Sequence, residues 1–178
     1  MAAPRVADFD CQALYRALDE QRVARALSWR KVADEIWGLS AELNDRRHDH
    51  PISPSTITGM ARRDAVSCQH ALFFLRWLGR SPESFLEPPA VGAVERPLPD
   101  AGPDRRLRWH LGRLYGAMNE RRLEEGLTWA ELARALRCTP SQLTGLRTAR
   151  FATGIQVAMR VVQWLERPAA DFVYPARW

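Results

Sequence analysis

The chain has 178 residues, with 26 Lys/Arg against 21 Asp/Glu, a net charge of +5 and a sequence pI of about 9.7. That balance suits a polyanionic partner. No apolar run is long enough to span a bilayer. Three scattered cysteines, Cys11, Cys68 and Cys138, lack the spacing of a metal knuckle and the even count of a disulfide framework. The N-terminus, Met1-Ala2-Ala3-Pro4-Arg5, lacks the long apolar stretch of a signal peptide, so a cytoplasmic protein is expected.

Residues 1–8 are expected to be loose. A first helix is expected over 9–26, with Leu14, Tyr15, Leu18 and Val23 toward a core. Ser28 caps a second helix, which can continue past Trp37 to Leu43 with a weak point at Gly38-Leu39-Ser40. Residues 44–51, Asn-Asp-Arg-Arg-His-Asp-His-Pro, read as an exposed loop. A third helix starts after Ser53, a fourth covers 68–78, and a short fifth follows Pro82. Residues 87–106 hold five of the twelve prolines and read as a linker. Extended as polyproline, it would reach about 50–60 Å.

The same elements then recur. Tyr15, Glu20, Arg22, Leu27 and Trp29 match Tyr115, Glu120, Arg122, Leu127 and Trp129 at an offset of 100. Pro54, Ser55, Thr58 and Gly59 match Pro140, Ser141, Thr144 and Gly145 at an offset of 86, so the first copy carries a 14-residue insertion, placed at about 37–51. Ala71, Trp77, Leu78, Arg80 and Phe85 match Ala158, Trp164, Leu165, Arg167 and Phe172. Ordered matching of this kind marks an internal repeat. It divides the chain into domains at 9–86 and 107–173, with a tail at 174–178. No stretch alternates as a strand does, so the expected class is all-α.

The heart of each copy is two short helices around a tight turn. In the second, Thr128 and Glu131 form a capping-box pattern, Leu132, Ala133 and Leu136 share one face, and Thr139 caps the next helix with Pro140 at its first position. The pattern Leu127-Thr128-x-x-Glu131-Leu132-Ala133-x-x-Leu136-x-Cys138-Thr139-Pro140-Ser141-x-Leu143-Thr144-x-Leu146 resembles the lambda-repressor-like helix-turn-helix family, of the Cro and phage-repressor type, and so does its counterpart in the first copy. The resemblance covers both repeats. It implies two five-helix domains whose third helix lies in the major groove of double-stranded DNA, and a transcriptional regulator acting as a covalent pseudo-dimer. The sequence departs from the family in carrying Trp29 and Trp129 where many members have Gln, and in the insertion.

On that reading the base-contacting set is Ser55, Thr56, Thr58, Gly59 and Arg62 in the first copy and Ser141, Gln142, Thr144, Gly145 and Thr148 in the second. Gln142 suits a bidentate contact to adenine. Ser28, Trp29, Arg63, Thr128, Trp129, Arg147 and Arg150 are the phosphate candidates. Residues 1–89 carry 12 basic and 12 acidic side chains, residues 90–178 carry 14 and 9. The neutral first half leaves open a protein-interaction module, antitoxin-like or a co-regulator, in which the first repeat keeps the fold and does not bind DNA. His48-Asp49-His50 offers at most part of a metal site. Asp10, Cys11 and His110 show no triad-like order, so neither an enzyme nor a cofactor is expected. Phe85-Leu86 and Phe172-Val173 are expected to meet within the chain, and a homodimer through the fifth helices or the Tyr174–Trp178 tail is the rival arrangement.

Overall fold

A computed structural model describes residues 6–88, 94–149 and 153–178. The first half runs β1 (Asp8–Phe9), α1 (Cys11–Ala24), α2 (Trp29–Gly38), α3 (Ala41–Asn44), α4 (Pro54–Arg63), α5 (Cys68–Leu78), a 3-10 turn (Pro82–Phe85) and β2 (Leu86–Glu87). The second runs β3 (Arg106–Trp109), α6 (Leu111–Glu124), α7 (Trp129–Ala135), α8 (Pro140–Gly145), α9 (Ile155–Trp164), a 3-10 turn (Ala169–Phe172) and β4 (Val173–Ala176). Apart from the inserted α3, the order is the same. No described helix is long and apolar enough to cross a membrane.

Helix boundaries follow local chemistry. Asp10 accepts the Ala13 N–H and starts α1; His110 Nδ1 accepts the Arg113 N–H and starts α6. Thr128–Glu131 and Thr139–Gln142 are both complete capping boxes. Each such cap stabilises its helix by about 1 kcal/mol. Ser28 and Ser67 cap α2 and α5 through the Lys31 and His70 N–H groups.

The class is mostly helical, with a correction: two small antiparallel sheets are present. β1 pairs with β2 in the register Asp8 with Glu87 and Phe9 with Leu86, and β3 pairs with β4 from Arg106–Ala176 to Trp109–Val173. Phe9, Leu107 and Trp109, expected at helix starts, are therefore strand residues. The cause is the caps: Asp10 and His110 hold β/extended or non-helical backbone, and their N–H groups go to Phe85 O and Phe172 O instead of into a helix. Val23, expected in the core, is 60% exposed.

The two halves share one continuous apolar core, and they exchange strands to build it. β1 lies on α9 of the second half: Gln156 accepts the Phe9 N–H and donates to Phe9 O, and Gln163 does the same for Ala7. Reciprocally, β3 lies on α5 of the first half, where Gln69 Nε2 donates to Leu107 O. Between them Ser67 and Gly154, equivalent positions of the two copies, form an antiparallel bridge. Contact of a residue with its own counterpart is what a two-fold axis produces. The chain is thus its own pseudo-symmetric pair.

Beside this joint the two fifth elements, both 3-10 turns, meet through a hydrogen bond in which Ala169 N–H donates to Glu83 Oε1 at 2.6 Å. Phe85 packs on Phe9 with ring centroids 6.0 Å apart, and Val173 belongs to the β3–β4 sheet. The tail is folded onto the same chain: Arg108 Nε donates to Trp178 O, and its guanidinium lies 5.0 Å over the Trp178 ring.

Residues 94–105 have no regular secondary structure, but they do not hang as a tether. Arg76 of α5 donates to Gly102 O, Arg105 O, Leu39 O and Ser40 Oγ, and Leu43 N–H donates to Pro103 O. Ala101 is buried. The segment carries β3 across the first half to its place on α5.

Candidate nucleic-acid interface

In each half the helix that precedes the candidate reader helix, α2 or α7, is fixed by the same aromatic sandwich. Trp29 stacks on Tyr15 at 5.4 Å and Trp129 on Tyr115 at 5.7 Å. Arg22 and Arg122 cover the other faces at 4.9 and 4.4 Å and also donate to the Leu27 and Leu127 carbonyls. Trp is thus a packing residue in both copies. Both rings are half-buried, and among the described residues neither indole N–H has a hydrogen-bond partner within the chain. Ser28 accepts from Lys31, and Thr128 both accepts from Glu131 N–H and donates to its carboxylate, so the two cap hydroxyls hold helix ends.

The second candidate reader helix, α8, presents Ser141, Gln142, Thr144 and Gly145 to solvent, with Arg147 and Thr148 exposed just beyond it. Leu143 and Leu146 anchor the opposite face in the core. Gln142 Oε1 accepts the Thr139 N–H at 2.8 Å, completing the cap, which leaves Nε2 as the amide's outward donor. Thr144 Oγ1 donates back to Pro140 O at 3.1 Å. Arg150 lies outside the described residues.

The first candidate reader helix, α4, differs. Ser55, Arg62 and Arg63 are exposed, while Thr56 and Thr58 are half-buried. Thr58 Oγ1 donates to Pro54 O, as its counterpart does, and Ser53, Ser55 and Thr56 share a small hydroxyl network. Gly59 is a correction: it is buried, because the Arg63 guanidinium folds over it and would lie 2.8 Å from an added Cβ. Gly145 has no such cover, with nothing within 4 Å of its Cβ position.

Sequence reasoning missed several cations. Arg30, Lys31, Arg113 and Arg134 are exposed and make no ion pair among the described residues. Arg30 and Lys31 occupy the first turn of α2, where the helix dipole disfavours positive charge, and that mismatch is the signal that could have found them. The opposite error concerns the second half's charge excess. Arg137 and Arg160 pair with Asp8, and Arg106 with Asp49, so part of that excess answers carboxylates of the first half.

Those pairs also brace both helix-turn-helix turns. Arg137 lies in the turn between α7 and α8 with φ +52°, and it donates to Val6 O and Asp8. Its counterpart Trp37 receives the Arg106 guanidinium at 4.4 Å. Arg106, buried, also donates to Asp49 Oδ2 and Asn44 Oδ1 of the insertion. Each turn is held by the leading strand of the other half. Asp49, gripped by Arg47 and Arg106, is lowered to a pKa of about 2. The three cysteines are free thiols, and burial pushes Cys11 up to about 11 and Cys68 to about 12.

No protein-family model, curated protein or solved structure matches the chain.

Proposed function

We propose that the chain is a sequence-specific double-stranded DNA-binding protein, a transcriptional regulator that acts as a covalent pseudo-dimer with α4 and α8 as its reader helices. The carrying observation is the repeated helix pair, α2 with α4 and α7 with α8, in which Ser28, Thr128 and Thr139 cap α2, α7 and α8 and the outer faces are polar, joined beyond each reader region by the Ser67–Gly154 bridge. Phosphates would be met by Arg62, Arg63 and Arg147 together with Arg30, Lys31, Arg113 and Arg134, all exposed. Base preference would come from Ser55, Thr56 and Arg62 on one side and Ser141, Gln142, Thr144 and Thr148 on the other. The two faces differ, so the preferred site is an imperfect palindrome with half-sites about one helical turn apart.

The test is full-length protein on random-sequence duplex across a salt series, followed by selection from random DNA. Binding should weaken steeply with salt through counterion release, and selection should yield two unlike half-sites at one spacing. Gln142→Glu keeps the capping box and removes the amide donor, so preference at one position should move toward cytosine. Salt-independent or absent binding would overturn the reading and favour the protein-interaction module.

A further inference from the structure

Away from both reader helices, a cleft of about 680 Å³ opens between the C-terminal end of α5, the Pro82–Phe85 turn and the segment 95–101, with Leu107 of β3 in its wall. Its volume is that of an ordinary small-molecule site. Leu75, Leu98 and Leu107 give it an apolar lining, and Arg76, Arg80, Glu95 and Asp100 give it charge.

The charges are arranged unusually. Arg80 and Glu95 are opposite in sign, exposed and line the same cleft, yet among the described residues they form no ion pair with each other or with any other side chain. Arg80 instead lies 4.2 Å over the Phe85 ring, and Glu95 accepts from Ser81 Oγ at 2.6 Å. Asp100 forms no ion pair among the described residues; it accepts the Gly102 N–H at 3.3 Å and feels the charge of Arg76. Apart from Arg76, the lining thus combines one cation, Arg80, and two carboxylates, Glu95 and Asp100, with three leucines, a set that complements a ligand carrying both charges itself. Arg76, with its donors filled by three carbonyls and the Ser40 hydroxyl, pins the wall in place before any ligand arrives.

We propose that this cleft binds a small zwitterion with an apolar body, the chemical class of an α-amino acid or short peptide, with its carboxylate on Arg80 and its ammonium on Glu95 and Asp100. Such a ligand ties α5 to the segment that delivers β3. It therefore acts on the strand that braces the first helix-turn-helix turn, and through it on the relation between the two readers. The binding step is independent of the DNA reading; only the regulatory consequence rests on it.

The experiment is calorimetric titration of the full chain, without DNA, with leucine, phenylalanine and leucyl-leucine, each beside its N-acetylated and its C-amidated form. Saturable binding to a zwitterion is expected, weakened about tenfold when either charge is blocked, the loss of one charge-assisted hydrogen bond. Arg80→Gln and Glu95→Gln should weaken it similarly while Arg80→Lys retains part of it. Thermal unfolding of each variant without ligand controls for damage to the fold. The free amino acids and the dipeptide separate the two sources of the chemistry. No saturation by any zwitterion at about 10 mM, or equal binding by the charge-blocked forms, overturns the site. A parallel DNA titration with and without ligand reads the coupling: ligand binding without DNA binding would reject the DNA reading and leave the site standing.

Discussion

Ser67 and Gly154 face each other across the centre of the molecule in an antiparallel bridge, with Cys68 N–H on Thr153 O at 2.8 Å and Ile155 N–H on Val66 O at 3.0 Å. Ser67 is the N-cap of α5 and Gly154 the N-cap of α9. The bridge therefore links the two helices whose buried faces also receive the exchanged strands. Cutting the chain in its linker would leave each half lacking the strand that covers its own long helix, so neither half is a self-sufficient unit.

The grip of Arg47 and Arg106 on Asp49 should make stability acid-sensitive. Asp49 has its pKa depressed from the ordinary 3.8 to about 2, so its contribution is complete above about pH 4 and is lost as the pH falls through 2. Asp49→Asn should cost about 2–3 kcal/mol at neutral pH, because Arg106 stays buried without its counter-charge. Urea unfolding at a series of pH values checks both: the variant should lose the part of the acid slope that Asp49 supplies.

Ala26 and Gly126 end equivalent helices in the same left-handed backbone, at φ +52° and +66°. Only glycine takes that conformation without a steric cost. Ala26→Gly should stabilise the protein by about 0.5–1 kcal/mol, the relief of strain outweighing the added freedom of the unfolded chain. Gly126→Ala should destabilise by a similar amount. Thermal melts of the pair decide it, and equal shifts of the same sign would contradict the argument.

Gly145→Ala separates folding from recognition. Nothing lies within 4 Å of the added Cβ, and alanine is the better helix former. The free protein should gain about 0.5 kcal/mol, while on the proposed reading DNA affinity should fall, because the methyl group would stand between the helix and the groove. Gly59→Ala must first displace the Arg63 guanidinium, so its effect on DNA binding should follow that of Arg63→Ala. Melting curves and fluorescence anisotropy on a selected duplex measure both quantities.

Trp129→Phe retains an aromatic ring between Tyr115 and Arg122 but removes the indole N–H. Stability should drop by no more than about 1.5 kcal/mol. If the N–H meets a phosphate, affinity should fall about fivefold, roughly the worth of one hydrogen bond. The salt slope should stay unchanged, since a neutral donor releases no counterion. A changed slope would assign the loss to a disturbed arginine instead.

Much of the local structure was legible in the amino-acid order. Thr128 with Glu131, Thr139 with Pro140, and the spacing of Leu132, Leu136 and Leu143 act within one or two helical turns, and the repeat made each element visible twice; the second capping box, Thr139 with Gln142, stays hidden when Gln142 is read as a base contact. The outward set of α8 followed from the same periodicity. Gly59 was misjudged because periodicity places a Cα and not the long side chain of Arg63 four residues on.

Tertiary structure alone decided how the copies combine. Two- and four-residue strands are too short to show an alternating pattern, so β1 to β4 left no trace in the sequence. The partners that hold them are far apart along the chain: Gln156 with Phe9, Arg137 with Asp8, Arg106 with Asp49. Counting charge by halves credited the second repeat with cations that neutralise the first. Local hydrogen bonding and helical period are properties of neighbouring residues and can be read in order. Strand exchange, counter-charge pairing and the cover over Gly59 depend on which surfaces meet, and that is determined only when the two halves close on one core.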